Sequence, residues 1–435
     1  MQPYLDSIAN ADLVSRIGYV RQLAGLSIES HGPESIVGEV CELRPRRGRA
    51  LRAEVVGFRD GRVTLMPYGH VHGIGPGCEV VATGHLPEVG VGEALLGRVI
   101  DAFGEPLDGG LRPATRALQP LKAAPLNPMA RPPIREAMEC GVRAIDTMLT
   151  LGRGQRVGIF AGSGVGKSTL LGMVSRHSTA DVNVIALIGE RGREVREFID
   201  RHLGATGLAR SVVVVATSDQ PALARARAAY AATAIAEWFR DQGRHVLLTM
   251  DSVTRFAMAK REIGLTAGEP PTSRGYTPSV FAELPELCER CGTAESGAIT
   301  ALFTVLVEGD DFNEPISDLL RATLDGHIVL TRQLAQQGHY PAIDVLQSAS
   351  RLFSELVPKP RRELVYQAFE AMSLYQRNQQ MIDIGAYRAG SNPEIDAAIR
   401  LAPGVSRFLR QHEDERIGGG QAMAALEALV VKERS

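Results

Sequence analysis

Nine consecutive residues limit this chain more than any others: Ala161-Gly162-Ser163-Gly164-Val165-Gly166-Lys167-Ser168-Thr169. The apolar run Val157-Gly158-Ile159-Phe160 precedes them and Leu170-Leu171-Gly172-Met173-Val174 follows, so the stretch reads as strand, glycine-rich loop and helix. That is the context a phosphate-binding P-loop requires, and a merely glycine-rich turn would lack it. Gly162, Gly164 and Gly166 let the backbone curl with its N–H groups turned inward around Ser163 and Val165, and the helix start at Lys167, Ser168 and Thr169 adds a positive dipole end. A triphosphate fits such a concavity. Lys167 would reach its β and γ phosphates, and the Ser168 hydroxyl would be a ligand of Mg²⁺. The first glycine of the usual pattern is Ala161 here, whose methyl group at the strand exit leaves the cradle in place.

At 435 residues the chain exceeds what one hydrophobic core serves, so two or three domains are expected. Hydrophobic residues make up 44% and charged residues 23%, an ordinary globular balance. The 48 basic against 50 acidic residues argue against nucleic acid or an anionic membrane as a bulk electrostatic partner. Cys41, Cys78, Cys140, Cys288 and Cys291 are odd in number and scattered, which suits a reducing compartment, the cytoplasm being the simplest. Cys288 and Cys291 form a lone CxxC in a helical stretch, without the second Cys or His pair that a zinc site needs. No basic region followed by an apolar run opens the chain, and no stretch approaches 18 uninterrupted apolar residues, so neither secretion nor membrane spanning is expected.

Residues 2 to 14 are expected to form a short helix in a terminal arm, with Leu5, Ile8, Leu13 and Val14 on its apolar side. From Ile17 to about Val89 the texture is β, in short runs such as Ile36–Val40 and Ala53–Phe58 broken by Arg59-Asp60-Gly61-Arg62 and Gly73–Gly77; a small antiparallel barrel is predicted. The basic run Arg44-Pro45-Arg46-Arg47-Gly48-Arg49 reads as a solvated loop at a hairpin tip rather than a nucleic-acid patch. Glycines and prolines between 96 and 135 suggest an extended connector. Beyond the P-loop, buried-strand candidates at Val182–Ile188, Val212–Ala216, Val246–Met250, Ile299–Val307 and Ile328–Leu330 alternate with helical stretches, which predicts a mainly parallel sheet flanked by helices. The clearest helix runs from Pro221 to Gln242, capped by Ser218 or Asp219 and ended by Gly243, with Trp238 and Phe239 in the core. From Glu355 on, helical segments such as Arg361–Leu374 and Ala422–Val431 dominate, with turns at Gly390 and Gly418–Gly420. The predicted architecture is therefore α/β: arm 1–16, β-barrel 17–95, connector 96–135, P-loop domain 136–352 and C-terminal helical domain 353–435.

Asp251 ends the apolar strand Leu247-Leu248-Thr249-Met250, where a P-loop enzyme holds its Mg²⁺. Alone, such an Asp is ordinarily a cap or turn residue; the P-loop upstream makes it the metal-side carboxylate. Glu190, in Ile188-Gly189-Glu190-Arg191-Gly192-Arg193-Glu194, follows the next strand candidate, and a carboxylate there could orient and polarise an attacking water. Arg191 beside it is either a phosphate-sensing cation or a plain ion-pair partner.

Ile188-Gly189-Glu190-Arg191, the Asp251 strand and Pro341-Ala342-Ile343-Asp344-Val345-Leu346-Gln347-Ser348-Ala349-Ser350-Arg351 together resemble the α/β-subunit family of rotary ATP synthases. Phe160 to Thr169, Glu190 to Phe198, and Gly268-Glu269-Pro270-Pro271 through Gly275-Tyr276 to Pro278-Ser279-Val280-Phe281-Ala282 are similar to that family's flagellar and type III secretion export ATPases. The resemblance covers nearly the whole chain from about residue 17. It implies a β-barrel, a RecA-like nucleotide-binding domain and a helical domain, with six copies in a nucleotide-dependent ring whose sites lie between neighbours. It also implies ATP and Mg²⁺ as cofactors and Glu190 as the catalytic carboxylate. Arg191 would be a phosphate-side helper, Tyr340 an adenine-stacking aromatic, and Arg351 an arginine finger reaching the neighbouring copy. Without the resemblance, Tyr340 reads as core packing and Arg351 as a surface ion pair. Implied partners are regulatory and stalk subunits, export substrates and their chaperones, and peripherally the export gate at the cytoplasmic face of the inner membrane.

Two other classes compete with an ATPase that drives protein export. A non-catalytic nucleotide-binding subunit would carry Gln at position 190, where this chain has Glu. A ring-shaped RNA translocase would need a basic, aromatic-lined surface that the barrel stretch lacks.

Overall fold

The computed structural model describes residues 14–307, 312 and 314–432, so the helix expected over residues 2 to 14 falls, but for Val14, outside them. Six strands close the N-terminal barrel in the order Ile17–Ala24, Ser27–His31, Arg62–Pro67, Leu51–Arg59, Val40–Arg44, Glu79–Ala82. Every second residue faces inward, so Val20, Ile28, Cys41, Leu43, Ala53, Val55, Val63, Leu65 and Val80 build one small core. Asp60 and Gly61 take φ values of 50° and 69°, the left-handed pair that a two-residue hairpin needs. The β run expected at Ile36–Val40 is corrected: Gly38 is left-handed at φ 88°, the chain turns there, and only Val40–Arg44 pairs. Ile36 and Val37 are consequently exposed. Arg46, Arg47 and Arg49 sit in the solvated loop between two barrel strands.

Two runs within the stretch 96–135 join neighbouring sheets instead of lying free of them. Arg98–Asp101 runs parallel to Ser211–Ala216 at the edge of the central sheet, and Ala117–Pro120 pairs with Glu88–Val91. Burial of Val99 and Ile100 draws this short run onto a sheet edge that would otherwise expose its backbone.

The central sheet has nine strands, ordered Ala349–Ser350, Gly326–Leu330, Arg156–Ala161, Ala298–Leu306, His245–Asp251, Val182–Ile188, Ser211–Ala216, Arg98–Asp101, with Gly292–Thr293 beside Ala298–Leu306. From Gly326–Leu330 to Arg98–Asp101 the neighbours are parallel. Their unbroken apolar runs reflect burial on both faces. On one face lies the Ala222–Asp241 helix, whose alanines allow close approach to the sheet. Pro221 occupies its N-cap, not Ser218 or Asp219: Ser218 instead donates its N–H to Glu190 O at 3.0 Å, which ties that loop to the Glu190 loop. Gly243 at φ 84° ends the helix region as expected; Phe239 is buried and Trp238 only partly so.

Helices Lys359–Asp383, Pro393–Leu409 and Gly419–Lys432 form the C-terminal domain, so Gly419 and Gly420 open a helix where a turn was expected. Asn392 caps the second by accepting from the N–H groups of Glu394 and Ile395. Arg143 fastens this domain to the central one by donating to the carbonyls of Phe408 and Arg410. Cys288 ends up near the close of the Pro278–Glu289 helix and Cys291 beyond it, both buried; burial pushes the Cys291 thiol up to about 12 and the Cys288 thiol higher still. No helix among the described residues is long and apolar enough to cross a membrane.

Candidate functional site

The site begins where the Arg156–Ala161 strand ends. Gly164 and Gly166 take φ values of 77° and 90°, conformations open to glycine, and Gly166 is the N-cap of the Lys167–His177 helix. No side chain caps that helix start, so its N–H groups stay turned to the loop. Ser163 and Gly164 lie at the surface, Val165 is buried beneath them, and Ser168 and Thr169 stand half-buried in the first helical turn. The residue pattern therefore folds as a phosphate cradle.

Parallel register brings the acids to it. Asp251 closes the His245–Asp251 strand and Glu190 follows the adjacent Val182–Ile188 strand, so both reach the same edge as the P-loop. Lys167 Nζ lies 2.5 Å from Asp251 Oδ1 and 3.5 Å from Glu190 Oε1. Burial pulls the Lys167 ammonium down, but Asp251 and Glu190 outweigh it and hold the group above its ordinary value. Burial pushes the Glu190 carboxyl up to about 7; Lys167 opposes this, while Asp251 and Glu194 add to it.

Two site residues escaped the sequence reading. Thr304, on the strand between the P-loop strand and the Asp251 strand, donates from Oγ1 to Asp251 Oδ1 at 2.7 Å. Arg255 lies against Gly189, where a Cβ would meet the Arg255 Cβ at 2.9 Å, and among the described residues its buried Nε has no hydrogen-bond partner. Neither has a local signal, since Thr304 sits in an apolar run and Arg255 in a plain amphipathic helix.

Tyr340 lies beside Gly166, its ring carbons 3.5 Å from where a Cβ there would stand. It lines a cavity of about 240 Å³ with Thr169, Met173, Pro341, Gln411 and His412. Gln411 N–H donates to Tyr340 O at 2.9 Å, so the helical domain helps to hold the aromatic. Tyr340 is 46% exposed and is not the core residue that its sequence context suggests. Arg191 is solvent-exposed and pairs with Glu194 Oε1 at 3.4 Å. Arg351 is exposed as well and donates to the Arg321 carbonyl at 3.1 Å, with its own N–H on Asp325 O. Asp325 precedes the Gly326–Leu330 strand, whose far end aligns with Ala161, so Arg351 stands one strand length, about 13 Å, from the P-loop edge.

Among the described residues no group of three or more His, Cys, Asp or Glu side chains could hold a metal ion by itself. The donor pair of Ser168 and Asp251 suits instead a Mg²⁺ that arrives with phosphate oxygens and keeps its waters.

A P-loop, a strand-end Asp and an acid on the neighbouring strand, set in a parallel sheet between a barrel and a helical domain, define a P-loop ATPase. Residues 20–84, 141–350 and 357–428 match, in turn, the ATP synthase alpha/beta family, beta-barrel domain; the same family's nucleotide-binding domain; and the T3SS EscN ATPase C-terminal domain. The flagellum-specific ATP synthase of Bacillus subtilis (strain 168) is 55% identical over 99% of each chain. The assembled ATPase EscN of the enteropathogenic E. coli type III secretion system superimposes with a TM-score of 0.91 at 44% identity, covering 95% of this chain and 100% of that one. EscN in complex with its central stalk EscO gives 0.88 at 43% identity over 95% and 100% of the two chains. The chain belongs to the ATP synthase alpha/beta family, among its flagellar and type III secretion ATPases.

Proposed function

We propose that this chain hydrolyses ATP with Mg²⁺ at the interfaces of a nucleotide-dependent ring of six copies, and that the cycle energises export of flagellar or other type III proteins by releasing them from chaperones and unfolding them. The observation that carries this reading is Lys167 Nζ held between Asp251 and Glu190. An incoming γ-phosphate takes over the Lys167 ammonium, which frees both carboxylates. Ser168 and Asp251 are the residues that would hold Mg²⁺, which would supply neutralisation of the charge on the β and γ phosphates.

Glu190 orients the attacking water and accepts its proton, a task suited to a carboxyl poised near 7. Backbone N–H groups from Gly162 to Lys167 and the first helical turn at Ser168 and Thr169 hold the phosphates, and Tyr340 stacks on the base. Arg191 reaches the phosphates only by giving up its pair with Glu194. Arg351, at the opposite strand end from its own P-loop, acts on the neighbouring copy as an arginine finger.

EscN's assembled state and its central stalk EscO support a ring with a stalk partner here. A cytoplasmic enzyme bound peripherally at the inner-membrane export gate, with further regulatory subunits, fits the same family. Glu190 disfavours a non-catalytic nucleotide-binding role. The test is Glu190→Gln, which keeps shape and removes charge: ATP titration should be unchanged while turnover falls by at least about 10²-fold. Lost binding with unchanged turnover per bound ATP would refute the assignment.

A further inference from the structure

Arg351 follows a strand of only two residues, Ala349–Ser350, at the edge of the central sheet. Ser350 pairs with Gly326 and Ala349 with His327, so a short ladder holds the segment that carries the arginine. A buried side chain from another part of the chain reinforces it. Gln155, fully buried, stands immediately before the Arg156–Ala161 strand that leads to the P-loop. Its Nε2 donates to the Asp325 carbonyl at 3.0 Å and to Ser350 Oγ at 3.1 Å, and its Oε1 accepts from the Gly152 N–H at 2.8 Å. Both amide hydrogens and the amide oxygen are thereby used.

The two groups that Gln155 Nε2 binds are those that seat Arg351. The Asp325 carbonyl also accepts the Arg351 N–H at 3.0 Å, and Ser350 Oγ, one residue before the arginine, donates onward to the Thr150 carbonyl at 2.9 Å. Arg156 fixes Asp325 as well, its Nε and Nη2 lying 3.0 and 3.1 Å from the two carboxylate oxygens. The packing leaves no slack: a Cβ on Gly326 would stand 2.7 Å from Ala349 O, 3.2 Å from Ser350 Cα and 3.4 Å from Gln155 Nε2. The Arg351 side chain itself is exposed and donates to the Arg321 carbonyl, so the place from which it reaches out is set by this backbone.

We propose that Gln155 is a positioning residue for ATP turnover that acts through Arg351, fixing where the guanidinium stands toward the neighbouring copy; the inference rests on the arginine-finger reading above. The amide ties the segment before Arg351 to the foot of the P-loop strand, and without it the two-residue ladder alone aligns Ser350 with Gly326. Misplacing a reacting group by about 1 Å costs up to about 10²-fold in rate. Because the finger serves the next copy, the defect of a Gln155 variant belongs to its neighbour's turnover and not to its own nucleotide binding.

The test is Gln155→Met in the full chain, which keeps the length of the side chain and removes its three hydrogen bonds. ATP titration and assembly should be unchanged, and turnover should fall by about 10- to 10²-fold at every protein concentration. Mixed rings give the readout that a merely structural role would not move. Combined with Lys167→Ala, which keeps an intact finger, Gln155→Met should regain activity above that of the separate proteins. Combined with Arg351→Ala it should regain none, since every interface then lacks a well-placed finger. The reverse pattern would put the defect in the variant's own site and overturn the proposal, as would wild-type turnover in Gln155→Met. Arg351→Ala mixed with Lys167→Ala, run alongside, separates the two readings: no recovery there means that the finger reading itself has failed, while recovery there and none for Gln155→Met defeats this inference alone. Ser350→Ala, at a half-buried edge position, takes the place of Gln155→Met in the same mixtures if the methionine is not tolerated, with the same outcomes expected.

Discussion

Thr304 Oγ1 donates to Asp251 Oδ1 at 2.7 Å, and Lys167 Nζ meets the same oxygen at 2.5 Å. Under the proposed role of Lys167 a phosphate would claim the lysine, which leaves Thr304 to aim the carboxylate. Thr304→Val keeps volume in a fully buried position and removes the hydrogen bond to a charged acceptor, worth about 1.5–3 kcal/mol. The Mg²⁺ concentration giving half-maximal turnover should rise about tenfold, while Mg²⁺-free nucleotide binding stays the same. An unaltered Mg²⁺ dependence would reduce Thr304 to a packing residue.

Tyr340 borders Gly166 and is held through its carbonyl by Gln411. Removing an aromatic platform from a stacked base costs about 1–3 kcal/mol. Tyr340→Ala should therefore weaken ATP binding about tenfold in a fluorescence titration, with turnover at saturation little changed, and Tyr340→Phe should restore the affinity. A phenylalanine variant as weak as alanine would point to the hydroxyl instead of the ring.

Arg351 and Lys167 sit at opposite ends of the parallel strands, so under the proposed arginine-finger role activity requires assembly. Specific activity should rise with protein concentration, and Arg351→Ala should bind ATP, assemble and stay roughly 10³-fold slow or more at every concentration. Mixing Arg351→Ala with Lys167→Ala creates interfaces that join an intact P-loop to an intact finger, so some activity should return. No recovery despite demonstrated co-assembly would mean that Arg351 does not act across the interface.

His245 opens the Asp251 strand, buried, with Nε2 2.8 Å from Thr300 Oγ1. Burial, assisted by Arg153, pulls its folded-state value down from 6.5 to about 4. A depressed base binds its proton more readily when unfolded, so its contribution is complete above about 6.5 and is lost as pH falls toward 4, on the order of 3 kcal/mol in all. Denaturant midpoints of the wild type should fall across that window more steeply than those of His245→Gln. Parallel curves for the two proteins would contradict the assignment.

The P-loop, the apolar strands and the barrel texture were legible because each depends on residues adjacent in the chain. Strand–glycine–helix succession, two-residue alternation and unbroken apolar runs all report local geometry and burial. The run at Ile36–Val40 misled because one left-handed glycine outweighs β propensity, and Val99-Ile100 was missed because a four-residue strand is decided by the edge it joins.

Sequence by itself determined the domain succession, the phosphate cradle and the identities of Glu190 and Asp251 as acids at strand ends. Only tertiary structure decided which atoms meet. Parallel pairing sets Lys167, Asp251 and Thr304 within hydrogen-bonding reach across 137 residues of chain from first to last, while the helical domain's Gln411 holds Tyr340 beside Gly166. The short antiparallel pairing of Ala349–Ser350 with the start of Gly326–Leu330 puts Arg351 at the other end of the sheet. The physical reason is that strand order and register are chosen by burial summed over the whole sheet, a quantity that no short stretch of residues contains.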